Sequence, residues 1–241
     1  IMIPGLSTPV KTFNPLEMDG HRFVFPEPGT EEKENNDIQY VLGDMAQQKS
    51  IWEPNTTKTV KQYLKKGQVA VDLGASVGYF TLLFARQVGR NGKVFSFEAT
   101  PYRFKYMCKN VEENGYKDWV FPFHIAAWNN KEEILMPPQN DTFKVQADTI
   151  DNVLEENGIT EVDFIKSDTD GNELKVLKGL ERTIQRSKNL KMVFEYFPAY
   201  IEAQKESQKE VMEFIVTYFT HSVFVGDFND GRLVNLLCVI K

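Results

Sequence analysis

The chain has 241 residues, is 41% hydrophobic and carries a formal charge of −6, enough apolar material for a full core. An acidic balance supplies no basic field of the kind that holds a phosphate backbone by counterion release, so nucleic acid is not an expected partner. No apolar run is long enough to cross a bilayer and no signal-peptide pattern is visible, while Cys108 and Cys238 are the only cysteines; two reduced core thiols in a soluble chain point to the cytoplasm.

Residues 1–36 are rich in Pro, Gly and charge and close in the polar run "TEEKENN". They read as an extension with at most a short hairpin around "HRFVFPEPG". We place the extension at 1–50 and the main domain at 51–241. Val60, Tyr63 and Leu64 mark a helix, with Gly67 where a C-terminal cap belongs. In "VAVDLGASVGYFTLLFA", residues 69–85, a β-branched apolar run passes through glycines into a helix whose inner face is Phe80, Leu83, Phe84 and Val88. "KVFSFE" is the second strand, and Pro101 opens a helix with Phe104, Met107, Cys108 and Val111 on one face. "WVFPFHIAA" reads as the third strand and "VDFIKSD" as the fourth, after a polar segment, "PPQNDTFKVQ", taken as a loop. Leu177, Leu180 and Ile184 mark one helix behind it. "LKMVFEY" is the fifth strand, followed by a helix facing inward through Val211, Phe214, Ile215 and Tyr218. "SVFVG" and "NLLCVI" are separated only by "DFNDGR", too short for a parallel crossover. The expected fold is therefore α/β: a doubly wound, mostly parallel seven-stranded sheet with an antiparallel last strand and ligands at the strand carboxyl ends.

The polar residues of interest fall at those ends: Asp72, Glu98, His124, Asp168 and Glu195 on the first to fifth strands. A strand–glycine–helix turn aims backbone N–H groups and the positive end of the helix dipole at a guest over the turn. Gly74 and Gly78 let the backbone approach it closely. Glu98, one strand–helix–strand unit after Asp72, is placed to accept hydrogen bonds from both hydroxyls of a ribose. A dinucleotide fingerprint needs G-x-G-x-x-G, but Asp72 replaces its first glycine and Val77 its third, which disfavours a pyrophosphate. D-x-G-x-x-x-G suits a cofactor with a cationic amino-acid end, S-adenosylmethionine. Ala75, Ser76 and Tyr79 beside the glycines, Ala99 after Glu98, and Ala126, Ala127 and Trp128 after the third strand complete the expected cofactor wall.

For catalysis the candidates are Asp168, Asp170 and Glu195, as substrate-orienting groups or as the base that takes a proton from a hydroxyl acceptor. Asp170 and Glu173 are equally readable as acids at a helix N-terminus. Acids this close could also hold a divalent ion, though that is not the favoured reading. His124 is a further base in principle but reads better as structural. Residues 1–50 and "MPPQNDTFKVQ" are expected to recognise the substrate, with Tyr196, Phe197 and Tyr200 as an aromatic wall.

The runs "VDLGASVGYFTLLFA", "GKVFSFEATPYRFKYMCKNVEENG", "TIDNVLEENGITEVDFIKSDTDGNELKVLKG" and "VFEYFP" resemble the FkbM-type methyltransferases from about Ile51 onward. Asp170 stands where glutamate is commoner before the glycine, and "EAT" stands where Glu-Pro is more usual. The resemblance implies a class I, Rossmann-like methyltransferase dependent on S-adenosylmethionine, with S-adenosylhomocysteine as product. Such enzymes usually act on oxygen, often on a sugar or small-molecule hydroxyl, so a small-molecule or glycan acceptor is expected. The alternative is a non-catalytic binding or scaffold protein of the same fold.

Overall fold

In the computed structural model the described residues are 16–24, 51–136, 143–225 and 234–241, with the side chains of Leu16 and of 221–225 excluded. The main sheet is built from β3 (Val69–Leu73), β4 (Lys93–Phe97), β5 (Val120–Phe123), β9 (Phe164–Ser167), β10 (Lys191–Tyr196), β11 (Phe219–Val225) and β12 (Val234–Ile240). Their order is β11-β12-β10-β9-β3-β4-β5. β5, β4, β3, β9 and β10 run parallel, whereas β12 is antiparallel to both β10 and β11. The seven-stranded sheet and its antiparallel last strand are those expected from the sequence.

Alternation along the strands divides the core. Ala70, Phe164 and Val193 face one side and meet α1 (Pro54–Tyr63), α2 (Tyr79–Val88) and α3 (Pro101–Glu113). Val71, Leu73, Ile165, Met192 and Phe194 face the other and meet α4 (Ile150–Glu156), α5 (Glu173–Lys178), α6 (Glu181–Arg186), α7 (Pro198–Ala203) and α8 (Gln208–Tyr218). Strands buried on both faces read as near-continuous apolar runs, which is why they stood out in the sequence.

Several local expectations change. "WVFPFHIAA" is not one strand: β5 ends at Phe123, and β6 (Ala126–Ala127) belongs to a second sheet with β7 (Glu132–Met136) and β8 (Phe143–Asp148). Pro122 has no N–H to donate, and β5 accordingly lies at the sheet edge. The segment taken as a polar loop contributes β8, where Val145 and Ala147 are buried and Lys144 and Gln146 exposed; residues 137–142 lie outside the described residues. The helix behind β9 is two short ones, the backbone departing from helix at Gly179 (ψ −6°) and Leu180 (φ −111°, ψ −1°); Gly179 also packs so near Trp128 that a Cβ would lie 1.9 Å from its carbonyl oxygen. Gly67 is not the cap of α1, which already gives way to extended backbone at Leu64.

The hairpin lies slightly earlier than expected, β1 (Leu16–Met18) and β2 (His21–Phe23) turning at Asp19-Gly20. It packs on α1, α2 and α3: Asp19 pairs with Lys61 at 2.8 Å and Arg86 at 3.0 Å, Phe23 stacks on Tyr79, and Val24 N–H donates to Asn110 Oδ1 at 2.6 Å. The rest of residues 1–50 lies outside the described residues, and with it their expected part in substrate recognition.

Candidate functional site

From β3 the chain proceeds to β4 and β5, then returns to β9 on the other side of β3. A crevice opens at such a switch point outside the strand carboxyl ends. Here it is a cleft of about 380 Å³, of a size suited to a small ligand. Asp72 pairs in register with Ser96 on one side and Lys166 on the other. Ser167 pairs with Phe194, so Asp168 and Glu195, one residue further, turn to the face that Asp72 and Lys166 share.

The glycine turn is wired into the protein more fully than its sequence suggests. Gly74 and Ala75 N–H both donate to the Phe97 carbonyl at 3.0 Å, Gly78 N–H donates to Ala75 O at 2.8 Å, and Ser76 N–H donates to Glu98 Oε2 at 2.8 Å. The amides expected to face a guest are thus taken by protein acceptors, as buried N–H groups must be. Glu98 Oε1 accepts from Thr100 N–H at 2.7 Å, so this carboxylate clamps the turn after β3 to the start of α3. Each of its oxygens retains further acceptor capacity toward the cleft. Nor do the glycines make room for a ligand. A Cβ at Gly74 would lie 1.8 Å from the Asp168 carbonyl oxygen, and one at Gly78 would meet the Met107 side chain at 3.2 Å. Ser76 Oγ and Thr169 Oγ1 are buried with no hydrogen-bond partner among the described residues, and both residues line the cleft.

Across the cleft stand the acids. Asp168 Oδ2 accepts from Lys166 Nζ at 2.7 Å; this lysine is buried, lies 4.0 Å from Glu53 Oε1, and sits 4.6 Å above the Phe80 ring. Burial opposes the charge of Asp168, but Lys166 and a hydrogen bond from Glu195 hold its carboxyl below the usual range. Burial and the Asp168 charge push the Glu195 carboxyl well up. Enclosure by the cleft walls, then the Asp168 charge, raise Asp170 to about 6. Asp170 is nonetheless an exposed residue, at the cleft mouth, so water moderates the effect of the walls. Asp72, donated to by Thr81 Oγ1 at 2.6 Å, is raised to about 6 by burial. Asp170 (φ 53°), Ser76 (φ 50°) and Glu53 (φ 41°) adopt left-handed backbone that non-glycine residues seldom occupy.

All the sequence-derived site residues line this one cleft except Gly78: Asp72, Gly74, Ala75, Ser76, Tyr79, Glu98, Ala99, Ala126, Ala127, Trp128, Asp168, Asp170 and Glu195. Of the proposed aromatic wall, Phe197 and Tyr200 are present with rings 4.2 Å apart. Tyr196 turns away to donate to Gln208, as period-2 alternation after Glu195 requires. His124 is exposed and stacks on Phe104 outside the cleft. Glu173 does not line it; its Oε1 accepts from Gly171 N–H, consistent with an acid at a helix start. Both cysteines are free. Among the described residues no group of three His, Cys, Asp or Glu side chains is arranged to hold a metal ion.

Sequence reasoning missed Trp52, Arg103, Lys166 and Asn172 in the lining. Lys166 was legible, since a residue two before Asp168 on a strand shares its face. Arg103 carried a weaker signal, its place in the first turn of the helix that leaves β4. Trp52 carried none.

The sequence matches the Methyltransferase FkbM domain over residues 72–223, more than half of the chain. A protein-L-isoaspartate O-methyltransferase of Triticum aestivum is 34% identical over 71 residues, 28% of this chain; the chain spans about a third (31%) of the length of this curated relative. Among solved structures the fold is similar to that of the O-methyltransferase from Bacillus cereus in complex with SAH, with a TM-score of 0.55 at 14% identity over 89% of this chain and 93% of that one. It is also similar to Aeropyrum pernix fibrillarin with natively bound S-adenosyl-L-methionine, with a TM-score of 0.51 at 12% identity over 77% and 73% of the two chains. At such identities the likeness is one of fold. The sequence match is independent of it and takes in both sides of the cleft, from the turn after Asp72 to the acids of β9 and β10, and on that ground the chain belongs to the FkbM methyltransferase family.

Proposed function

We propose that the cleft binds S-adenosylmethionine against the β3 turn and that the chain methylates a hydroxyl of a small molecule or sugar. The observation that carries this reading is the facing of two unlike walls across one cleft: the Glu98-clamped turn on one side and the Asp168–Asp170–Glu195 acids on the other. The residues present fit the cofactor. The unused acceptor capacity of Glu98 suits a ribose diol, and the unpartnered hydroxyls of Ser76 and Thr169 suit a polar nucleoside or amino-acid group. Ile125, Ala126 and Ala127 give an apolar wall for a base. When bound, S-adenosylmethionine supplies a methyl group on a sulfonium, which leaves with the bonding pair on sulfur.

The chain's own work is to hold the acceptor oxygen in place and to take its proton. A carboxylate of pKa about 6 is ionised at neutral pH yet basic enough to receive a proton, which suits Asp170 better than Asp168, whose ion pair with Lys166 holds it down. Asp168 then orients the acceptor through its outer oxygen. Phe197 and Tyr200 offer an apolar platform beside these acids. The test is transfer of isotopically labelled methyl to a panel of small-molecule hydroxyl compounds. Asp170→Asn should lose about 10²–10⁴-fold in kcat while S-adenosylhomocysteine still binds. A variant with parental turnover would remove Asp170 from this role.

A further inference from the structure

Lys166 is a lysine of the cleft that the sequence did not single out and that no step above uses beyond its ion pair with Asp168. Its ammonium is buried at the centre of the molecule, with its side chain 4% exposed. A lysine there must either lose its proton or be held by opposite charge. The second applies: Asp168, Glu53 and Asp72 act to keep it charged. Among the described residues Asp168 is the one in direct hydrogen-bond contact, at 2.7 Å. The rest of the ammonium lies over the Phe80 ring and near Glu53. Glu53 in turn receives a hydrogen bond from Trp52 Nε1 at 3.0 Å and lies 3.2 Å from Asn235 Nδ2 on β12. The lysine is therefore braced from β3, from the segment before α1 and, through Glu53, from β12, with a single contact directed into the reaction side of the cleft.

We propose that Lys166 is a positioning residue that acts through Asp168. Its ammonium fixes Oδ2 of that carboxylate, so that Asp168 stays ionised, receives the hydrogen bond of protonated Glu195 and presents one oriented oxygen to the acceptor. This rests on the reading of the cleft as a hydroxyl methylation site, but the proton arrangement it requires exists with or without an acceptor. Asp168 is faced by Lys166 from its own strand, Glu195 from β10, Arg103 from α3 and Asp170 from its own turn. Asp72 from β3 and Glu53 from ahead of α1 reach the same centre through the lysine. Two carboxyls that share a proton titrate as a pair. A fixed positive charge beside them keeps that pair singly protonated across neutral pH; with the charge removed, the pair takes up its second proton at higher pH.

The experiment is a carboxyl NMR titration of the full chain, with signals assigned by Glu195→Gln and Asp168→Asn, beside the pH profile of kcat. In the parent, Glu195 should be protonated and Asp168 ionised at pH 7. Lys166→Gln should raise by at least one unit the pH at which the pair takes up its second proton, lower kcat at least tenfold with KM little changed, and, because the same ammonium also holds Asp170 down, shift the Asp170 acid limb of kcat upward. Lys166→Arg, which keeps the charge, should restore the parental titration. If Lys166→Gln does not fold, the parental titration still decides: an ionised Glu195, or a protonated Asp168, at pH 7 overturns the proposal. So does a folded Lys166→Gln with an unchanged pair titration. Failure to bind S-adenosylhomocysteine alongside the expected titration would instead overturn the methylation reading and leave the role of Lys166 toward Asp168 intact.

Discussion

At the scale of single residues, the cleft separates carboxyl groups by their surroundings. Asp168 has a lysine and stays ionised; the Glu195 carboxyl beside it is pushed well up; Asp170 at the mouth sits near 6. A base of that pKa predicts that kcat/KM rises with pH through about 6 and then levels, and that Asp170→Asn abolishes this limb. A profile flat from pH 5 to 8 in the parent would contradict the assignment. Asp72 has a consequence for stability. Its carboxyl is raised from 3.8 to about 6 in the fold, so between these values the folded state binds more protons than the unfolded one and stability falls as pH rises. The penalty is absent below about pH 4 and complete above about 6, on the order of 3 kcal/mol. Asp72→Asn removes it. Denaturant unfolding from pH 4 to 8 should show the variant gaining on the parent across this window and no further above it. Parallel curves would contradict the burial argument.

At the scale of elements, the two sides of the cleft are one mechanical unit. The turn after β3 and the turn after β9 touch where Gly74 leaves no room for a side chain beside the Asp168 carbonyl. Ala at position 74 would need both a left-handed φ of 76° and displacement of the β9 backbone. A loss of roughly 3 kcal/mol is expected. Because β9 carries Asp168, turnover should fall further than cofactor affinity; measured melting, S-adenosylhomocysteine affinity and kcat separate these effects. Equal losses in affinity and kcat would mean that the contact serves the cofactor side alone. The elements of this unit were legible because parallel strands buried on both faces stand out as apolar runs ending in a carboxylate. β7 and β8 were not. β8 alternates exposed and buried residues, but most of it lies in a segment whose prolines and polar residues read as a loop; β7 buries no residue fully, and β6 is two residues attached to what looked like the end of β5.

At the scale of the whole molecule, winding about β3 brings together residues that are far apart in the chain. Asp72, Glu98, Asp168 and Glu195 were recognisable in advance because each ends a strand, and a doubly wound sheet gathers strand ends. Trp52, which lines the cleft, and Glu53, which stands behind it against Lys166 of β9 and Asn235 of β12, were not, since they precede the first strand of the sheet. The ammonium of Lys166 occupies the inner side of Asp168 where a divalent ion would bind, so chelation with EDTA should leave turnover unchanged; loss of activity restored by added metal would contradict this.

Whether the β3 turn and Glu98 hold S-adenosylmethionine is decided by titration calorimetry. S-adenosylhomocysteine and NAD are titrated into the parent chain and into Glu98→Ala. The account predicts one site for S-adenosylhomocysteine, none for NAD, and affinity weakened about 10- to 100-fold by the loss of the charged acceptor in Glu98→Ala. Binding of NAD in its place, or S-adenosylhomocysteine affinity indifferent to Glu98, would contradict it.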